Sequence, residues 1–564
     1  MKARMSGINK WCLSLIILFC SLATAEANNI KVTNCQIVRS TMLSTSPVSD
    51  IQFDISWDNS WRYGASFYDA AWVFAKFSVN NGDWKHATIS AVTSAGTSTN
   101  NGTAIPSPAI DLATDSKGVF LYRNSTNGVT DNSGTFSTTA VKLQWNHQGD
   151  NLIYNSSTIA KIKVQVFAIE MVHVPRGQFY VGDGTAISGG TNSHFFDASS
   201  SGAAVKITTT APYISNVYTG SGTAGDIAWD PSINIAGALP TSRTQLSTNF
   251  PTGYNSFYIM KYKISQGQYR DFLNTLTRSQ QTARVQATIS TGLTSPSYRY
   301  VMSNTAAVNY RNGIKCNATF AAADPILFYC DLNANDVPNE SADGEWIACN
   351  YINWADLCAY ADWAALRPMT ELEYEKACRG PKTPVAKEYA WGQDQSSLVQ
   401  ATAITNSGTS SEGVTPSGAN CIYGNASAVN GPVRSGATAT ATSTTRVTSG
   451  GSFYGVMDLS GNLYERPVTL MASNVATTLS IFTGLHGDGV LSTAGNANVN
   501  YWPGNNGSGG AGGEIPTSSV LGSGLRAGYW YISSNYARVS DRSYAAQVDT
   551  SRNYYCGGRL ARTQ

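Results

Sequence analysis

The chain has 564 residues, a formal net charge of +2 and only 13% charged residues, whereas a typical soluble domain carries about 25%. The missing charge is replaced by Ser, Thr, Asn and 51 Gly, and aromatic residues reach 11%. That excludes an intrinsically disordered chain, a nucleic-acid binder working through a broad basic surface, and a long solvated helical bundle.

Residues 1–27 read as a secretory signal. Lys2, Arg4 and Lys10 form the positive start, and Trp11 to Leu22 is an apolar run too short to span a bilayer. Ala25-Glu26-Ala27, or Ala23-Thr24-Ala25, supplies small residues for cleavage. Phe19 before Cys20 is too bulky for a good lipidation signal. No other segment reads as transmembrane, so the expectation is a secreted or cell-surface protein. Removing Cys12 and Cys20 leaves Cys35, Cys316, Cys330, Cys349, Cys358, Cys378, Cys421 and Cys556. None forms a C-x-x-C pair, which argues against a zinc ribbon. Export allows one or two disulfides, with Cys316 and Cys330 nearest in sequence.

Residues 28–168 predict an all-β, sandwich-like domain. Ile51 to Trp57 alternates with period two, and Ala71 to Phe77, Val119 to Tyr122 and Ile162 to Phe167 are further strands. His86 and His147 stand alone and read as structural or solvent-facing. From residue 169 the pattern changes to α+β. Ser265 caps a helix to Leu276 with Tyr269, Phe272, Leu273 and Leu276 on one face. Asn353 to Leu366 is a second helix, and Thr370-x-x-Glu373 is the capping box of a third. Glu371, Glu373 and Glu375 sit at alternate positions and do not face one another, so they are expected to cap the helix and pair with Lys376 or Arg379. Residues 435–452, rich in Ser, Thr, Gly and Ala, predict a mobile loop, and 501–514 a second, glycine-rich one.

Motifs in order along 169–562 resemble the formylglycine-generating enzyme, or sulfatase-modifying factor, family. Met171 to Phe179 resembles its opening strand, and Phe257 to Ser265 the strand entering the first helix. Arg367-Pro368-Met369-Thr370-Glu371-Leu372-Glu373-Tyr374-Glu375 resembles its Arg-Leu-Pro-Thr-Glu-x-Glu-Trp-Glu run, followed by Ala390-Trp391-Gly392. Asp458-Leu459-Ser460-Gly461-Asn462-Leu463-Tyr464-Glu465 resembles the Gly-Asn-Val-Trp-Glu motif, and Leu525 to Trp530 and Gly557 to Arg562 the closing motifs. The resemblance implies a C-type-lectin-like fold for 169–564, with residues 185–255 as an insertion.

Active members of that family oxidise a substrate cysteine with oxygen, using copper held by two cysteines five residues apart. Soft thiolates suit Cu(I). Aligned on Arg538, Arg542 and Ala545-Ala546, those positions here are Val539 and Tyr544. The resemblance therefore implies no copper site and no catalytic residues, and the five scattered histidines argue against non-haem iron. The family's calcium loop maps onto Asp458, Gly461, Leu463 and Glu465, a carbonyl and carboxylate set suited to a hard cation. A second family calcium site near Asn420 lacks its acidic ligand. Asp331-x-Asn333-x-Asn335 starts like an EF-hand but has Asp336 and Ala342 where glycine and glutamate belong, so it reads as an Asx turn. His486-Gly487-Asp488 has no accompanying nucleophile motif.

The last segment carries Tyr529, Trp530, Tyr531, Asn535, Tyr536, Asp541, Tyr544, Tyr554 and Tyr555 between Arg and Gly positions. Tyr and Asn are residues that binding loops favour. The segment also resembles the variable region of diversity-generating-retroelement proteins, although its end, Gly557-Gly558-Arg559, departs from their Gly-Phe-Arg. The expectation is an exported, non-catalytic relative that binds a protein or glycan ligand at or outside the cell surface. The alternative is a formylglycine-generating oxidase acting on sulfatase cysteines.

Overall fold

The computed structural model describes residues 29–38, 46–124, 131–152, 161–185, 193–338, 340–424, 427–471, 482–519, 522–547 and 549–564. The expected signal at 1–27 lies outside them. Among the described residues no helix is long and apolar enough to cross a membrane.

Ser49–Tyr63 buries alternate residues, as a strand with one wet face must. It pairs antiparallel with Lys31–Val38 and Asp131–Trp145. A tight hairpin joins it to Phe67–Val79, which is buried on both faces for most of its length. That strand pairs with Val119–Tyr122 and Ile162–Val174. Ile51, Phe53, Ile55 and Trp57 pack against Ala71, Val73, Ala75 and Phe77 to close one core. The opposite face, with Trp72, Phe74, Phe120 and Phe167, enters a larger core with Phe272 and Trp363. Among the described residues before 168 every regular element is a strand.

The boundary expected at 168/169 falls inside Ile162–Val174, and that strand carries the sheet onward. Its end pairs with Phe257–Met260, which pairs with Leu560–Arg562, which pairs with Arg367–Pro368. Buried polar groups tie the same junction. The Lys76 ammonium donates to the Trp363 and Gly489 carbonyls at 2.8 Å, and the Trp72 indole to the Ala364 carbonyl.

The helices start where capping chemistry places them. Gln266–Leu273, Trp354–Trp363 and Glu371–Arg379 follow Ser265, Asn353 and Thr370, each with a full capping box. A further helix, Arg278–Arg284, is capped by Thr277 and Gln280. Within 185–255, the described part is mostly turns and irregular chain with short strands such as Tyr213–Ile214 and Ile227–Ala228.

One expectation is corrected. All eight described cysteines are free thiols. The hairpin of Ile314–Cys316 with Phe328–Cys330 sets Cys316 opposite Phe328 and Cys330 opposite Ile314, so the register keeps the two sulfurs off a shared rung. Residues 435–452 are part buried and part exposed. Ser435, Ala437 and Thr438 are buried, and Thr445 caps a short helix, Arg446–Ser449, with hydroxyls such as Ser443 bonding back to the backbone.

Candidate functional site

The last segment is fixed from below by arginines. Arg526 reaches Glu371 and Glu375 at 2.8 Å each and donates to the Val539 carbonyl. Arg542 grips both oxygens of Glu371 at 2.9 Å. Its guanidinium lies 4.2 Å from the Phe195 ring and 4.7 Å from Trp229, so the 185–255 stretch also packs on it. Glu375 also meets Arg379, which pairs with Glu388. Glu373 closes the capping box and takes a forked pair from Arg367. The expected Arg379 partner is found. Lys376 instead donates to the Pro175 and Gly253 carbonyls, and the principal partners of Glu371 come from residues 526 and 542.

Above this floor the structure brings the predicted rings together. Tyr529 stands 5.1 Å from Tyr555, and Tyr529 and Tyr531 are stacked. Tyr554 is 5.2 Å from Tyr555 and 5.9 Å from Trp530. Tyr536 and Tyr544 pair at 5.3 Å. Tyr531 is 49% exposed and Trp530 is buried. Tyr536, Tyr544, Tyr554 and Tyr555 are half-buried, as is Asn535 in the turn Ser534–Ala537. Asp541 is buried, accepts from the Ser543 hydroxyl at 2.6 Å, and burial raises its pKa to about 6. The Tyr555 hydroxyl donates to Asp549.

Sequence reading does not single out two further members. Tyr464 links Tyr529 and Tyr544. Tyr310 stacks on Tyr554 at 4.4 Å and lies 5.4 Å from Trp530. Tyr310 and Arg311 both have left-handed backbones, φ 44° and 60°, which bulky residues seldom adopt. The Asn350 amide donates to the Tyr310 carbonyl, and Arg311 is clamped by Glu412, so the surroundings hold this strained pair in place. Among the described residues, the Trp530 indole N–H and the Tyr464 hydroxyl are buried with no hydrogen-bond partner. Leaving such a group unmet costs about 1–3 kcal/mol.

The two positions aligned with the family's thiols differ in setting. Val539 is buried beside Ala527 and Tyr374, and Tyr544 is among the rings. Cys556 is buried and receives a bond from Arg466, and burial raises its pKa.

The residues of the expected calcium loop take partners from the protein itself. Asp458 and Asn462 are left-handed, and a Cβ at Gly461 would collide with the Ile422 carbonyl. Asp458 accepts from the Gly436 N–H at 3.0 Å and the Asn462 amide at 3.3 Å. Leu463 fills the core. One oxygen of Glu465 lies 2.5 Å from Lys263 and 2.6 Å from Arg559, all fully buried. Burial pushes the Glu465 carboxyl up, but Arg559 and Lys263 together hold it below its usual value. The second oxygen of Glu465 is buried with no hydrogen-bond partner among the described residues. Asp331 and Asp336 pair with Lys315, as an Asx turn would allow. His486 accepts from the Thr563 N–H beside Asp115.

Residues 249–563 match the family of the sulfatase-modifying factor enzyme 1-like domain. No curated protein matches the chain. Among solved structures, it is similar to variable protein 1 of Treponema denticola, at 12% identity over 71% of this chain and 96% of that one, with a TM-score of 0.24. It is also similar to the pilus backbone RrgB from Streptococcus pneumoniae, at 10% identity over 38% and 41%, with a TM-score of 0.11. The third is domains D2 and D3 of the major pilin SpaD from Corynebacterium diphtheriae, at 10% identity over 38% and 80%, with a TM-score of 0.12. Superpositions that loose carry no argument about function.

Proposed function

The chain belongs to the sulfatase-modifying factor family, and from that membership we propose that it is an exported, non-catalytic member whose last segment presents a binding surface. The proposed organisation is a C-type-lectin-like domain preceded by a β-sandwich module. The observation that carries the reading is the ring cluster around Tyr529, Tyr531 and Tyr555, seated on a buried arginine–carboxylate floor. Rigid rings supply contact area at little entropic cost, and hydroxyls supply adaptable hydrogen bonds.

The lack of catalysis is supported by Val539 and Tyr544, neither of which can supply a thiolate. The test offers the purified chain Cu(I) and a cysteine-containing sulfatase peptide under oxygen. The expected result is no aldehyde product. Turnover would establish the oxidase alternative. In parallel, a screen against extracellular proteins and glycans is expected to yield a partner whose binding is lost in Tyr531→Ala.

A further inference from the structure

A second site lies away from the ring cluster, in a cleft of about 760 Å³ between the first hairpin and the turn at 439–457. Trp61, Tyr63 and Phe67 form one wall, and Phe453, Tyr454 and Arg446 stand in the other. Trp61 and Tyr63, two apart on one strand, share a face and stack at 5.9 Å and 29°. Phe67 stacks on Tyr454 at 6.0 Å and 19°, which joins the walls at one end. Tyr63 is 48% and Phe67 39% exposed, a concentration of ring surface that a monomer seldom leaves in water without use.

The chemistry of the lining narrows the occupant. It contains no Leu, Ile or Val; Ala439 and Met457 are its aliphatic members. A peptide docking by apolar anchors needs side-chain pockets, and flat ring faces do not provide them. They fit a sugar ring, whose C–H face is flat and apolar and whose rim carries hydroxyls. Partners for that rim are at hand in the Ser and Thr residues of 440–452. The lining also contains no carboxylate. Lys261 on the floor is neutralised by Asp69 at 3.0 Å and Glu170 at 3.2 Å. Arg446 differs. Its guanidinium stands 5.6 Å from the Phe453 ring, and its Nη1 is buried with no hydrogen-bond partner among the described residues. An arginine matches a carboxylate in geometry as well as charge.

We propose that this cleft binds an oligosaccharide bearing a carboxylate, with a sugar ring on the Trp61–Tyr63 face and the carboxylate on Arg446. The site is independent of the ring cluster of the last segment.

The full chain is tested on a glycan array spanning neutral, sialylated and uronic-acid structures. Titrations follow by calorimetry and tryptophan fluorescence, with 3′-sialyllactose against lactose and hexagalacturonate against its carboxyl-reduced form. Acidic glycans are expected on the array, with at least one acidic probe binding tenfold or more tightly than its neutral counterpart. Trp61→Ala should weaken it at least tenfold and Trp61→Phe much less. Arg446→Gln should erase the preference for the acid, whereas Tyr531→Ala, in the other site, should leave the affinity for these acidic probes as it is. Thermal melts of each variant separate lost binding from lost folding. An array with no acidic glycan above the Trp61→Ala control overturns the proposal. So does equal affinity for both members of each pair, or binding that survives Trp61→Ala and fails in Tyr531→Ala.

Discussion

The last segment behaves as two regions in one stretch of chain. Arg526 and Arg542 point down to carboxylates of the helix Glu371–Arg379 and are fully buried. Among the rings, Tyr529 is buried, Tyr555 is half-buried, and Tyr531, stacked on Tyr529, reaches the surface. The arginines tie this backbone to the helix, and of the rings Tyr531 is the exposed one, free to be chosen for what it touches. The largest expected effect tests that division. Arg526→Ala leaves Glu371 and Glu375 buried with one partner fewer, which costs about 3–5 kcal/mol. Urea unfolding should show a clearly lower midpoint. A midpoint unchanged from the parent would mean that the arginines do not hold this segment.

Glu465 sharpens the same contrast from the neighbouring loop. Because its carboxylate already serves Lys263 and Arg559, stability should not depend on calcium. Glu465→Gln should cost roughly 2–3 kcal/mol, less than Arg526→Ala because the amide still accepts one bond. Chelation with EDTA should leave the melting temperature of the parent where it is. A drop of several degrees that calcium restores would show the carboxylate leaving its cations for a metal.

Asp541, buried in the same segment, has an effect no larger than about 3 kcal/mol that depends on pH. Burial raises its pKa from 3.8 to about 6, so the folded state holds the proton more tightly than the unfolded chain does. Between those values the folded state carries more protons, and stability falls as pH rises. The loss should be complete just above pH 6 and absent below pH 4, at most about 3 kcal/mol. Asp541→Asn should flatten that part of the curve of unfolding free energy against pH. An unaltered slope would place the titration elsewhere.

The local parts of this structure were legible in the sequence and the distant parts were not. Ser265, Asn353 and Thr370 announce their helices because a capping box is written within four residues. Thr277-x-x-Gln280 carries the same signal, but a seven-residue helix offers too short an apolar pattern to confirm it. The alternation at Ile51 to Trp57 marks a strand with equal clarity. The partner of Glu371 lies 155 residues away at Arg526, and a helix-neighbour rule cannot find it. Tyr310 escapes for the same reason, since nothing near residue 310 points to Tyr554. Trp61 and Tyr63 read as strand residues; their role as a wall depends on a turn almost 400 residues later. The cysteines mislead because nearness in sequence says nothing of register. Family motifs placed Asp458 and Glu465 on one loop, but only the fold shows which cations claim Glu465.

The smallest expected effect on stability is the most informative about function. Tyr531 is 49% exposed, and its stacking on Tyr529 is one of several contacts that hold Tyr529 in place. Tyr531→Ala removes no buried group and no floor contact, so it should shift the unfolding free energy by no more than about 0.5 kcal/mol. If the rings exist to be touched, the same substitution should weaken a captured partner by tenfold or more, since exposed aromatics dominate such interfaces. Paired urea unfolding and surface plasmon resonance read the two quantities on one protein. A large loss of stability with binding intact would make the cluster a core that happens to reach the surface.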